Sequence, residues 1–141
     1  SEALTALATI NTGENRVEES FDLLKRAIEV KPNNVAARQR IAWMYAHNNN
    51  LDKALEEMKT AQNLDPQARA TNIALAQLLN VARRPDEAIT FSKRVLELNP
   101  KDETAKLRLA ESFEQKRNFE EAEKLIREIL RDDQNSPDAL I

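Results

Sequence analysis

Side chains capable of acid–base chemistry are sparse in this sequence and do not converge on one motif. His47 is the one histidine in 141 residues, three asparagines follow it, and the chain has no cysteine. Adjacent carboxylates occur at Glu18-Glu19, Glu56-Glu57, Glu120-Glu121 and Asp132-Asp133. General acids and bases need a pKa tuned by their surroundings, and these pairs fall on predicted helix ends or solvated faces. The sequence therefore predicts no catalytic residue, no metal site and no cofactor, and an enzyme is the weakest interpretation.

Three other residues have the chemistry of partner recognition: Trp43, Arg40 and Arg108. Aromatic and Arg side chains carry much of the binding energy at protein interfaces, and a guanidinium can hold a carboxylate through two parallel hydrogen bonds. The alternative for Trp43 is ordinary packing over neighbouring aliphatic side chains. The alternative for Arg40 and for Arg108 is a surface ion pair with Glu111 or another acid, worth about 0–1 kcal/mol.

A 34-residue period supplies the elements that must position these side chains. Pro32, Pro66 and Pro100 are each 34 residues apart. Two columns of small residues and two columns of larger apolar residues follow the same period. These columns are Ala8, Ala42, Ala76 and Ala110; Ser20, Ala54, Ala88 and Ala122; Leu7, Ile41, Leu75 and Leu109; and Val30, Leu64 and Leu98. Self-similarity of this kind is the signature of a repeat architecture.

Each 34-residue unit contains two amphipathic stretches, so we predict two helices per unit. The first helices are predicted near 3–14, 35–47, 68–81 and 102–116, and the second helices near 17–30, 51–64, 85–98 and 119–132. Between the paired helices lie Gly13, Asn48-Asn49-Asn50, Arg84-Pro85 and Asn118. Gly and Asn tolerate the left-handed backbone of a helix C-terminus. The columns of small residues predict that paired helices cross closely.

Composition and charge narrow the possible folds, partners and cellular locations. A single Gly and 4% aromatic residues favour helices over sheets. The net charge of −3 argues against nucleic acid as a partner, and no apolar run approaches the roughly 20 residues that span a bilayer. No signal peptide is visible. The lack of cysteine is compatible with the cytoplasm, which we favour, while a periplasmic location stays open.

The sequence resembles the tetratricopeptide repeat family. The 34-residue period, the small columns and the junction prolines are that family's signature, and Tyr45 and Phe113 fill its aromatic column. The resemblance implies an all-α fold, a right-handed α-solenoid of about four helix-turn-helix units in a single domain over 1–141. We place the units near 1–34, 35–68, 69–102 and 103–136, with 137–141 as the start of a truncated fifth unit or a cap. The sequence departs from the family at the position where Trp is preferred, which here holds Leu4, Arg38, Asn72 and Lys106.

The resemblance also implies that the first helices line a concave groove in which a partner peptide or domain binds. We therefore interpret the chain as a protein–protein interaction module, a scaffold or adaptor. The predicted groove residues are Gln39, Arg40, Trp43, His47, Ile73, Gln77, Asn80, Leu107, Arg108 and Glu111.

Two other functions stay open at this point. The chain begins at Ser1 without Met, and Ser136-Pro137-Asp138 has the composition of a helix start, so we expect an excised segment with exposed end helices. Leu125, Ile126, Ile129 and Leu130 could then join two copies in a homo-oligomer. RNA binding, as in related 35-residue helical repeats, is less favoured because the period is 34 and the net charge is negative.

Overall fold

A computed structural model describes the backbone of residues 13–134 and the side chains of residues 16–133, and these residues are all-α, without strands. They form α1 (Gly13–Val30), α2 (Val35–His47), α3 (Leu51–Leu64), α4 (Arg69–Val81), α5 (Pro85–Leu98), α6 (Glu103–Gln115) and α7 (Phe119–Gln134). The chain divides into two compact units between Leu64 and Asp65. Helices α1–α3 belong to the first unit and α4–α7 to the second. The predicted helix near 3–14 and the predicted start of a fifth unit at 137–141 lie outside the described residues.

Helices α2 to α7 begin and end within two residues of their predicted bounds. Helix α1 differs, because Gly13 is helical and the helix is described from there rather than from residue 17. The expectation of a turn at Gly13 is therefore wrong.

Three turns between paired helices share one geometry. Their left-handed residues are Asn49, Arg83 and Arg117, with φ of 60°, 62° and 65°. The next residue in each turn donates its N–H to a carbonyl five positions earlier. These bonds join Asn50 to Tyr45, Arg84 to Leu79 and Asn118 to Phe113, each at 2.8 Å between N and O. The pattern is the Schellman motif, which satisfies carbonyl groups that the helix end leaves free.

The residue types in these turns correct one sequence expectation. Asn118 was expected to adopt the left-handed conformation, but Arg117 does so instead. A non-glycine residue pays a steric cost in this region, because Cβ approaches the following carbonyl oxygen. Two of the three turns therefore place Arg where Gly would be less strained.

Six of the seven described members of the two columns of small residues lie in the core, and Ala8 lies outside the described residues. Ala42, Ala76 and Ala110 on the first helices are at most 1% exposed. On the second helices, Ala54, Ala88 and Ala122 are at most 3% exposed. Ser20 departs from its column, since it is exposed on α1. Small side chains at these positions let paired helices approach closely.

One periodic column is not part of the core. Val30, Leu64 and Leu98 are the last residues of α1, α3 and α5, and they are 87%, 42% and 62% exposed. Period alone therefore does not identify the buried face, because any position in a repeat recurs with the same spacing.

Polar side chains fill the column in which the sequence departs most from the expected pattern. Arg38 Nε donates to the carbonyl of Pro32 at 2.9 Å, and Asn72 Nδ2 donates to the carbonyl of Pro66 at 3.0 Å. Lys106 instead reaches α7, where its Nζ lies 3.3 Å from an Asp132 carboxylate oxygen. The nitrogen atoms of these side chains thus have partners, as polar groups removed from water require. Asn72 Oδ1, in contrast, is buried without a hydrogen-bond partner in the described part of the chain.

Candidate functional site

An open cleft of about 660 Å³ lies in the second unit, where α4 and α6 are in contact. Four predicted groove residues line it: Gln77, Asn80, Arg108 and Glu111. The remaining lining residues are Val81, Arg83, Glu114 and Gln115. Both helices are first helices of their repeats. The cleft therefore brings together side chains that are about 30 residues apart in sequence.

Asn80 fixes the floor of the cleft. The residue is 5% exposed, and its Nδ2 donates to the carbonyl of Arg108 at 3.1 Å. Ser112 Oγ donates to Asn80 Oδ1 at 2.6 Å, and Gln115 Nε2 donates to the Asn80 carbonyl at 2.7 Å. These bonds tie α4 to α6 across the cleft. Asn80 was predicted to contact a partner, but its amide is used to hold the two helices together.

Charge in the cleft is balanced. Arg108 Nη1 lies 2.6 Å from Glu111 Oε1, which is the ion pair that the sequence analysis gave as the alternative to carboxylate binding. Arg83 and Glu114 add one charge of each sign. A partner carboxylate at Arg108 would have to compete with Glu111 for the guanidinium. The site is therefore better suited to uncharged polar and apolar groups than to an acidic tail.

The rim of the cleft contains residues that sequence reasoning did not assign to it. Val81 is 60% exposed on α4, although it is apolar. It lies four residues after Gln77, so the helical spacing of the predicted face could have found it. Arg83 lines the cleft from the left-handed turn after α4. No residue-type signal in the sequence marks that turn.

The structure places the other predicted groove residues elsewhere. Ile73 is half-buried and Leu107 is exposed, and neither lines the cleft. Four more lie on α2 in the first unit. Of these, Gln39 and Trp43 are half-buried, whereas Arg40 and His47 are exposed. Trp43 is thus less exposed than the predicted groove position implies.

Among residues 16–133, no three His, Asp or Glu side chains are grouped so that they could hold a metal ion. In the same part of the chain, no helix combines the length and the apolar character needed to cross a lipid bilayer.

A family model described as tetratricopeptide repeat matches residues 12–79 and 81–140. The chain belongs to the tetratricopeptide repeat family. The family and the all-α helical-repeat fold that the sequence predicts are thereby confirmed. Tetratricopeptide repeats are in general protein–protein interaction modules, so the coarse function follows from membership.

Solved structures of other tetratricopeptide repeat chains share this fold. MamA AMB-1 is 25% identical with a TM-score of 0.75, over 86% of this chain and 72% of that one. MamA MSR-1 is 24% identical with a TM-score of 0.73, over 86% and 70% of the two chains. A tetratricopeptide repeat protein from Parabacteroides merdae ATCC 43184 is 20% identical with a TM-score of 0.80; the match covers 94% of this chain and 52% of that one. No curated protein matches the sequence.

Proposed function

We propose that this chain is a scaffold or adaptor module that binds an extended segment of a partner protein in the cleft between α4 and α6. The observation that supports this is the convergence of four predicted groove residues on one open cleft. Two first helices of the repeat frame that cleft, which is where the family resemblance implies that partners bind.

The base of the cleft is held by hydrogen bonds, and its rim has side chains exposed to a partner. Hydrogen bonds through Asn80 hold α4 and α6 in register, so binding need not order the helices first. On the rim, Val81 offers exposed apolar surface. A partner side chain that covers Val81 removes apolar area from water, at about 25 cal/mol per Å².

The balanced charge defines the kind of segment that fits. Because Glu111 already neutralises Arg108, the partner does not need a terminal carboxylate. We expect a segment whose uncharged polar groups bond to the cleft, with an apolar side chain over Val81. Binding of such a segment should depend weakly on salt, since little net charge is neutralised.

The test compares variants in the cleft with matched variants outside it. Proteins that bind the chain are captured from source cells, and the bound segment is then mapped and synthesised. We expect Val81→Glu and Arg108→Ala each to weaken its affinity by about tenfold or more. Leu98→Glu and Arg84→Ala are the controls, because Leu98 is 62% exposed and Arg84 pairs with Glu87 at 2.7 Å, both outside the cleft lining.

If all four variants, each shown to be folded by circular dichroism, bound the segment with equal affinity, the binding surface would lie outside the cleft. Loss of binding in the control variants alone would assign it to the face that carries α5.

Self-assembly through α7 is the alternative function. Leu130 is 57% exposed, while Leu125, Ile126 and Ile129 are half-buried. Light scattering over a range of concentrations separates the two functions. A mass that doubles with concentration, and that returns to the monomer value in a Leu130→Glu variant, would favour self-assembly.

A further inference from the structure

A second pocket, of about 390 Å³, lies in the first unit between the early turns of α1 and the end of α2. Its volume is in the range of about 300–1,000 Å³ that is typical of ligand sites. Phe21 and Tyr45 form its aromatic walls, and Glu18 and Asp22 are its charged residues. Asn48, the C-cap residue that follows α2, also lines it.

The two aromatic rings meet as a corner. Their centroids are 5.0 Å apart and their planes are at 84°. Ring faces carry negative charge density and attract cations within about 6 Å. Each ring already has one lysine of the chain near it: Lys25 Nζ lies 4.5 Å from the Phe21 centroid, and Lys53 Nζ lies 5.6 Å from that of Tyr45. A further cation would therefore be held by the carboxylates, with only its aliphatic stem against the rings.

The charged residues of this pocket are both acidic. Glu18 and Asp22 are exposed, are four residues apart on α1, and form no ion pair with any residue of the described range. Like charges at this spacing repel each other and destabilise a helix. A cation bound between them would relieve that repulsion.

The end of α2 contributes in the same direction. Helix carbonyls at a C-terminus carry partial negative charge, and α2 ends beside this pocket. The two carboxylates and the helix C-terminus therefore favour positive charge here, and the ring pair offers apolar surface to an aliphatic stem.

We propose that this pocket binds the cationic side chain, Lys or Arg, of a partner polypeptide. The ammonium or guanidinium group would lie between Glu18 and Asp22, and its aliphatic stem would pack in the corner of Phe21 and Tyr45. This site is in the first unit, and its cationic ligand differs from the uncharged segment proposed for the second-unit cleft. The two sites can therefore be tested separately.

The experiment is an NMR titration of the full 141-residue chain with three short peptides. The peptides are identical except for one central residue, which is Lys, Arg or the neutral isostere norleucine. We expect the Lys and Arg peptides to shift the ring protons of Phe21 and Tyr45 and the backbone amide of Asn48. The norleucine peptide should bind about fivefold more weakly or not at all, since it lacks the charge that the carboxylates attract.

A matched pair of double variants makes the test specific. The Glu18→Gln, Asp22→Asn double variant should bind the Lys peptide with about fivefold lower affinity, because both ion contacts are lost. Glu120→Gln with Glu121→Gln removes the same charge from exposed acids at the start of α7 and should leave the affinity unchanged.

Three results would overturn the proposal. One is equal binding of the Lys and norleucine peptides, and another is an equal loss in both double variants. The third is an NOE in the free protein between the Phe21 ring and a residue outside α1, α2 and α3, which would show that the pocket is already filled. A negative result for this pocket would not affect the proposal for the second-unit cleft, since no residue lines both.

Discussion

Asp102 stabilises the second unit in two ways at once. Its side chain caps α6 by accepting from the Ala105 N–H at 3.2 Å. The same carboxylate accepts from Arg69 Nε at 2.6 Å and from Nη2 at 3.1 Å. Its side chain is 3% exposed, whereas that of Arg69 is 59% exposed. The pKa of Asp102 is lowered, chiefly by the Arg69 hydrogen bond, which outweighs the effect of burial.

This arrangement predicts a pH-dependent contribution to stability. A carboxyl group with a lowered folded pKa stabilises the fold above its unfolded pKa of about 3.9 and loses that effect as pH falls through the folded value. We expect Asp102→Asn, which can still cap the helix, to lower the free energy of unfolding at neutral pH by about 1 kcal/mol, given the exposure of Arg69. The difference should vanish below the folded pKa.

Urea denaturation at several pH values measures this difference. Asp65→Asn, a change at an exposed aspartate, is the control and should have little effect at any pH. A deficit in Asp102→Asn that persists undiminished in acid would show that the ion pair is not its source.

Individual polar residues were the hardest part of the structure to predict. Arg38, Asn72 and Lys106 occupy a column in which the family prefers Trp, and sequence alone did not indicate what they would bond to. The partner of Lys106 lies on α7, 26 residues later. Asn80 was predicted to face the groove, yet its amide joins α4 to α6. Such pairings depend on distances between helices, which a periodic pattern does not encode.

At the scale of the elements, the left-handed turns combine a structural cost with a position beside the cleft. Arg83 has φ of 62° and lines that cleft. We expect Arg83→Gly to raise the free energy of unfolding by about 0.5–1 kcal/mol, because relief of steric strain exceeds the entropy that Gly loses on folding. The same variant should bind the partner segment less well if Arg83 contacts it.

Thermal denaturation measures the stability effect. Ala82→Gly is the matched control, since Ala82 has φ of −75° and gains no steric relief. It should lower stability, and a gain in the control equal to that of Arg83→Gly would contradict the explanation.

The buried alanine columns give a second prediction for the helices. Ala88 is 0% exposed on α5, so Ala88→Leu adds volume where none is available. We expect a loss of about 1–3 kcal/mol in the free energy of unfolding. Ala70→Leu, at an exposed position of α4, should change stability by less than about 0.5 kcal/mol. Chemical denaturation of both variants checks the contrast, and equal losses would mean that the columns do not set the helix spacing.

At the scale of the whole molecule, burial is unevenly distributed among the helices. Helix α4 has eight buried residues, whereas no side chain of residues 16–30 in α1 is buried. Stability varies locally in folded proteins, and segments with few buried contacts open most easily. We expect amide hydrogen exchange to be at least about tenfold slower in α4 than in α1. Equal protection of the two helices would show that the chain opens as one cooperative unit.

The fold was predictable at this scale because each repeat of the sequence carries the same helical pattern. A 34-residue period in prolines, alanines and aliphatic residues places the helices to within two residues from α2 onward. The candidate site was predictable in part, since Gln77, Asn80, Arg108 and Glu111 do converge on one cleft. The division of the chain after Leu64 was not predicted, because the repeat signal continues unchanged across that point.

The Arg69–Asp102 bond has a consequence for how such a chain can grow. Its two residues are the first and last of a 34-residue stretch, 69–102, which is one predicted unit. A gene duplication that copied this block would carry both halves of the bond, and the new copy would hold its own ends without any further mutation. A duplicated block of the same length that began at residue 85 would carry Asp102 but not Arg69, so the new copy would lack the bond. Repeats are thus added more readily when the duplicated block runs from the residue equivalent to Arg69 to the residue equivalent to Asp102 than when it starts elsewhere in the repeat.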